Sequence, residues 1–111
     1  MNIQIIGTKS CRDTQKAIRF FKERRIQFQF RDLNVKGISE GELNNISRAI
    51  PVEELIDTNG KEYSKRNMQF TVFDTREELL NNPLLFKTPI VRNGSLATIS
   101  YKPEVWKSWI S

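Results

Sequence analysis

The sequence predicts an α/β domain in which a strand-helix-strand opening and a strand-strand-helix close flank a helical middle. Three observations predict it. An apolar run, "NIQIIG", precedes an amphipathic stretch and then an alternating one. A sharp turn signal, Asn93-Gly94, sits between two short apolar runs near the end. Between these lies a long section in which apolar residues return at helical rather than strand spacing.

The elements follow in order. Ile3, Ile5 and Ile6, closed by Gly7, read as a buried first strand. After Thr8 and Lys9, Ser10 stands three residues before Asp13, a capping-box pattern that predicts a helix from Cys11 to about Arg25. Ala17, Ile18, Phe20 and Phe21 give that helix an apolar face. Ile26, Phe28 and Phe30 alternate with Gln27, Gln29 and Arg31, the period of a strand buried on one face. The short connection implies a parallel, right-handed crossover back to the first strand.

From about residue 36 to 83 the reading is helical and has the character of an insertion. Ser39 with Glu42 forms a second capping-box pattern, and Leu43, Ile46 and Ile50 recur at helical spacing. Pro51, the turn at Thr58 to Gly60, and Asp74 or Thr75 ahead of "REELL" divide the section into three or four short helices. Ile90 and Val91, the Asn93-Gly94 turn, and Leu96 to Ile99 make an antiparallel hairpin. Pro103 opens a closing helix with Trp106, Trp109 and Ile110 on one face. With the insertion set aside, this order is that of a thioredoxin-like fold.

At 111 residues, one domain spanning 1–111 is expected. A hydrophobic share of 38% against 28% charged residues is a globular balance, not a disordered one. No run approaches the roughly 20 apolar residues of a membrane span, and the first residues lack a signal-peptide pattern, so a cytoplasmic protein without a membrane partner is expected. The net charge of +5 is compatible with an anionic small molecule, an acidic partner or nucleic acid, but Lys and Arg are scattered. Neither a helix-turn-helix signature nor a zinc motif is present, so no direct nucleic-acid binding is expected. The absence of histidine removes the usual general base, the usual metal ligand and every Ser-His or Cys-His arrangement.

Cys11, the one cysteine, cannot form an internal disulfide, and its thiol chemistry must involve a second molecule. Its place where a strand gives way to a helix puts backbone N–H groups and the positive end of the helix dipole beside the sulfur. Lys9 and Arg12 add positive charge and Asp13 opposes it. The alternative is a structural thiol, since free cysteines are often simply buried. Thr14 can bond the thiolate or its own backbone. Thr88-Pro89 opens the third strand, where thioredoxin-like folds set a proline, usually cis, opposite the active cysteine. Pro89 also suits an ordinary strand start.

Taken together, "GTKSCRDTQKAIRFFKERRIQFQFRDL", "LIDTNGKEYSK" and "LLFKTPIVRNG" resemble, in order and spacing over nearly the whole chain, the ArsC/Spx family. That family groups glutaredoxin-coupled arsenate reductases with Spx-type regulators of RNA polymerase. The resemblance implies a thiol-dependent oxidoreductase in which Cys11 is the nucleophile and glutathione or a glutaredoxin is the external reductant. It implies no bound cofactor or metal and a small oxyanion or thiol substrate. The reductases carry an Arg before the conserved proline and another in the mid-chain segment; here Thr88 takes the first position and Asp57 to Gly60 contain none. Lys9, Arg12, Lys87 and Arg92 stand as candidate replacements or as solvated surface charges. Spx-type regulators often carry a Cys-x-x-Cys switch, which Thr14 makes impossible here. Binding to RNA polymerase and a plain redox-sensing thiol are the alternative functions the resemblance leaves open.

Overall fold

In the computed structural model, which describes residues 1–110, four strands form one sheet: β1 (Ile3–Gly7), β2 (Phe28–Asp32), β3 (Ile90–Asn93) and β4 (Leu96–Ile99). Their order is β2-β1-β3-β4, with β1 and β2 parallel and the other pairs antiparallel. Ile3 lies opposite Phe28 on one side and Asn93 on the other, so β1 is hydrogen-bonded on both edges. Its apolar run is explained by that position: Ile3, Ile5 and Ile6 are all buried because both faces of the sheet are covered.

One face carries α1 (Arg12–Glu23) and α6 (Pro103–Ile110). Here Ile3, Ile5 and Val91 pack under Ala17, Phe20, Phe21 and Trp106. Phe20, Phe21 and Trp106 meet with ring centroids 5.0 to 5.5 Å apart. The Trp106 indole, fully buried, donates to Thr98 Oγ1 at 2.8 Å, so its one polar group is satisfied.

The other face is covered by the section between β2 and β3. It contains α2 (Glu40–Ala49), α3 (Val52–Leu55), α4 (Lys61–Lys65) and α5 (Thr75–Asn81), with 3₁₀ turns at Met68–Phe70 and Pro83–Leu85. Leu43, Ile46, Leu55, Met68 and Leu79 from this section pack with Ile6 and Ile90 of the sheet. The section is therefore half of the core and not an appendage. The Ser39–Glu42 capping box forms as expected, and Asp74 caps α5.

Three boundaries differ from the sequence-based expectation. Helix α1 begins at Arg12, with Cys11 and not Ser10 as its N-cap. The Cys11 N–H bonds to Thr8 O at 3.2 Å, which closes a turn first, and the Cys11 carbonyl then accepts the first helical bond from Gln15 at 3.1 Å. The helix stops at Glu23 because Arg25 turns left-handed at φ +57°. Arg25 and Ile26 donate to the carbonyls of Lys22 and Phe21, a Schellman termination on a residue that is not glycine. In the hairpin, Asn93 pairs with Leu96, so the turn is Gly94-Ser95, with Gly94 supplying the positive φ of +61°. Among the described residues no helix is long and apolar enough to cross a membrane.

Candidate active site

The site is built where β1 ends. Gly7 passes so close to the first turn of α1 that a Cβ there would overlap the Thr14 hydroxyl and lie 2.8 Å from its Cγ2. Glycine at position 7 thus lets Thr14 pack, fully buried, against the strand end and fixes where α1 begins. Cys11, at the N-cap, is half-buried.

Thr88 approaches from the opposite side, and the Thr88–Pro89 peptide bond is cis. Its hydroxyl donates to Cys11 Sγ at 3.0 Å, and its carbonyl accepts from the thiol at 3.7 Å. Thr14 Oγ1 is buried and makes no hydrogen bond among the described residues. Burial raises the Cys11 pKa. Stabilisation of the thiolate by the Thr14 and Thr88 hydroxyls and by the Thr14 and Asp13 N–H groups outweighs it, and the net result is a thiol lowered from its ordinary value. Both threonine hydroxyls therefore favour the thiolate.

A cleft of about 380 Å³ opens beside the sulfur. Thr8, Ser10 and Cys11 form one wall, and Leu33 and Asn34, just past β2, form another. Asp57 to Glu62 and the stretch from Leu84 to Thr88 close it. These last two segments are tied together by a bridge between Ile56 and Phe86, in which Asp57 N donates to Leu85 O at 2.8 Å and Lys87 N to Leu55 O at 2.7 Å. Among the described residues Lys61 is the one cation lining the cleft, which it shares with two carboxylates: Asp57, whose Oδ1 accepts from Asn59 N, and Glu62, which is paired with Arg66.

Of the residues singled out from sequence, Cys11, Thr14, Thr88 and Pro89 come together here. Lys9, Arg12 and Arg92 do not line the cleft. Lys9 is exposed, and its carbonyl accepts from the Gln15 amide; Arg12 is exposed at the first helical position. Arg92 lies further along β3, bonded to Gln4 Oε1 at 3.1 Å beside a different cleft that it shares with Arg48. Lys87, half-buried, is likewise not among the lining residues. Lys61, Asp57 and Asn34 were not foreseen. Their approach depends on the Ile56–Phe86 bridge, a long-range pairing without a local signature. The one signal for Lys61 was its place directly after the Asp57-Thr58-Asn59-Gly60 turn.

This fold and site define a class: a thioredoxin-like domain with one thiol at the N-cap of its first helix and a cis-proline loop across from it. Residues 6–109 match the model of the ArsC family, and the chain belongs to that family. Among solved structures it is similar to the YffB (PA3664) protein, at 20% identity and a TM-score of 0.85, with 98% of this chain and 99% of that one covered. It is also similar to an arsenate reductase (ArsC) related protein from Brucella melitensis, at 23% identity and a TM-score of 0.71, covering 100% and 96%. An arsenate reductase from Vibrio cholerae matches at 17% identity and a TM-score of 0.81, covering 97% of each chain. At these identities the likeness establishes the shared fold. The curated protein sequences contain no match to the chain.

Proposed function

We propose that this protein is a thiol-dependent oxidoreductase of the arsenate-reductase-like type, with Cys11 as nucleophile and an external thiol as resolver. The observation that carries the reading is the Thr88 hydroxyl 3.0 Å from Cys11 Sγ, on a half-buried thiol that opens to a cleft. A structural cysteine has no need of two hydroxyls and a helix N-terminus arranged around its sulfur.

The chemistry favours a disulfide over an oxyanion as substrate. A tetrahedral oxyanion calls for guanidinium forks, and losing one such contact costs on the order of 2–4 kcal/mol of transition-state stabilisation. Among the described residues the cleft lining has no arginine, and its single lysine shares it with two carboxylates. In the proposed cycle the Cys11 thiolate attacks one sulfur of an external disulfide, forming a mixed disulfide and releasing the other half as a thiolate that solvent protonates. A thiol of glutathione or of a glutaredoxin then attacks the mixed disulfide. It ends in a disulfide with the remaining substrate half and Cys11 is restored as thiolate; a second external thiol then releases that half, so that two external thiols are oxidised to one disulfide and two electrons reach the original substrate.

The test is intact-mass detection of a glutathionyl unit on Cys11 after exposure of the native protein to glutathione disulfide, followed by its release with excess glutathione or a glutaredoxin. One adduct is expected, absent in Cys11→Ser. An adduct that forms only after denaturation would exclude the proposed cycle.

A further inference from the structure

A second groove, of about 420 Å³, runs between α1 and the segment that enters α6, and shares no lining residue with the Cys11 cleft. Lys16, Arg19 and Arg24 line it from α1 and its C-cap, and Lys107 lines it from α6; against these four cations stands one carboxylate, Glu23. None of the four cations forms an ion pair with a carboxylate among the described residues. A groove lined by unpaired positive charge in a folded protein leaves mutual repulsion unrelieved, and an anionic partner relieves it.

Two of the cations are held in place. The Arg24 guanidinium stacks on the Phe20 ring, its Cζ 3.7 Å from the centroid, and donates to Phe20 O at 3.1 Å. Lys16 Nζ sits over the Tyr101 ring, 5.6 Å from its centroid. Such cation–π contacts lower the cost of fixing long side chains when a ligand binds. The floor is apolar: Phe20 is buried and Tyr101 is 39% exposed, with Pro103 beside it.

We propose that this groove docks an acidic segment of a partner protein. The spacing of the charges identifies the chemistry. From Lys16 to Arg24 the helix advances about 12 Å, the span of three to four residues of extended chain. Charge spread over that length suits a row of carboxylates around an apolar side chain and not one phosphate group. Lys16 and Arg24 already sit over the Tyr101 and Phe20 rings, and Phe20 is buried, which disfavours stacking of a nucleobase there. Glu23 within the wall repels a continuous phosphate backbone and offers a peptide N–H an acceptor. The inference is independent of what Cys11 does.

The experiment uses the full chain and a fluorescein-labelled peptide, Asp-Glu-Leu-Glu-Asp, with its Asn/Gln counterpart as control. Polarisation titration gives affinity, and amide chemical shifts map the contact. The acidic peptide is expected to shift resonances of α1 and the 101–107 segment. Arg19→Glu and Lys107→Glu, both at exposed positions, are each expected to weaken binding at least tenfold with unchanged thermal unfolding. Arg48→Glu, the same charge change outside the groove, is expected to alter it less than twofold. Shifts confined to other surfaces, equal binding of the neutral peptide, or equal loss in Arg48→Glu would overturn the proposal. So would a single-stranded oligonucleotide of equal charge binding the same residues more tightly, which would reassign the groove to nucleic acid.

Discussion

At the level of single residues, the account rests on what surrounds one sulfur. Thr88 lies 77 positions from Cys11 in sequence, yet its hydroxyl donates to the sulfur at 3.0 Å. A hydrogen bond to a charged group stabilises it, so Thr88→Val, which keeps the shape and removes the donor, is expected to raise the apparent Cys11 pKa. The rate of iodoacetamide alkylation against pH measures this, and an unchanged profile would remove Thr88 from the mechanism. Gly7 acts through Thr14. Gly7→Ala forces the Thr14 side chain away from the strand end, and a destabilisation of about 1–3 kcal/mol is expected by urea unfolding, with slower alkylation at neutral pH. Cys11, Thr88 and Pro89 were legible because a strand-loop-helix junction and a Thr-Pro step are local patterns. The charge at Arg92 was equally visible, but its position along β3 carries it to a separate cleft. Charge can be read from a sequence; the direction in which a strand carries it away from a site cannot.

Among the elements, α2 is the best-defined anchor between the middle section and the sheet. Glu42 closes the capping box by accepting from Ser39 N at 3.0 Å, and it also receives both arms of the Arg31 guanidinium at 3.0 and 2.9 Å. Arg31 donates in addition to Gly37 O at 3.1 Å, tying edge strand β2 to the start of the helix. The Arg31 hydrogen bonds, against the opposing effect of burial, hold the Glu42 carboxyl at about 2. Because the folded carboxylate is harder to protonate than the unfolded one, its stabilisation is complete above about pH 4.3 and is lost as pH falls through about 2. Glu42→Gln is therefore expected to cost on the order of 2 kcal/mol at pH 7 and little near pH 2, read as the difference between urea midpoints at the two pH values. A pH-independent difference would contradict the assignment. The Ser39–Glu42 cap was plain in the sequence because both of its partners lie within one turn. The start of α1 was misplaced by one residue because the same signature at Ser10 and Asp13 competes with a turn, Thr8 to Cys11, that the chain closes first. That single residue matters, since it makes the reactive residue itself the N-cap position of α1.

For the whole molecule, the section from 36 to 83 reads in sequence as an insertion, yet it supplies Ile38, Leu43, Ile46, Ile50, Leu55, Ile56, Met68 and Leu79 to one of the two cores. Burying each such side chain contributes about 1.5–3 kcal/mol, a gross sum of about 12–24 kcal/mol that is as large as or larger than the roughly 5–15 kcal/mol net stability of a typical domain. Replacing 36–83 with a short linker is expected to abolish cooperative unfolding and expose apolar surface to dye; a sharp thermal transition in that variant would show the sheet needs only α1 and α6. The same section brings Asp57 to Glu62 over the sulfur, so core and cleft are built by one connection. The central claim, that this architecture holds Cys11 as an accessible and activated nucleophile, is tested most directly by the pH dependence of its alkylation by iodoacetamide in native buffer, against denatured protein and Cys11→Ser. The account predicts a native thiol that reacts with an apparent pKa below the free-cysteine value of about 8.5 and below that of the denatured chain. A native thiol that does not react, or that titrates at or above that value, would contradict it.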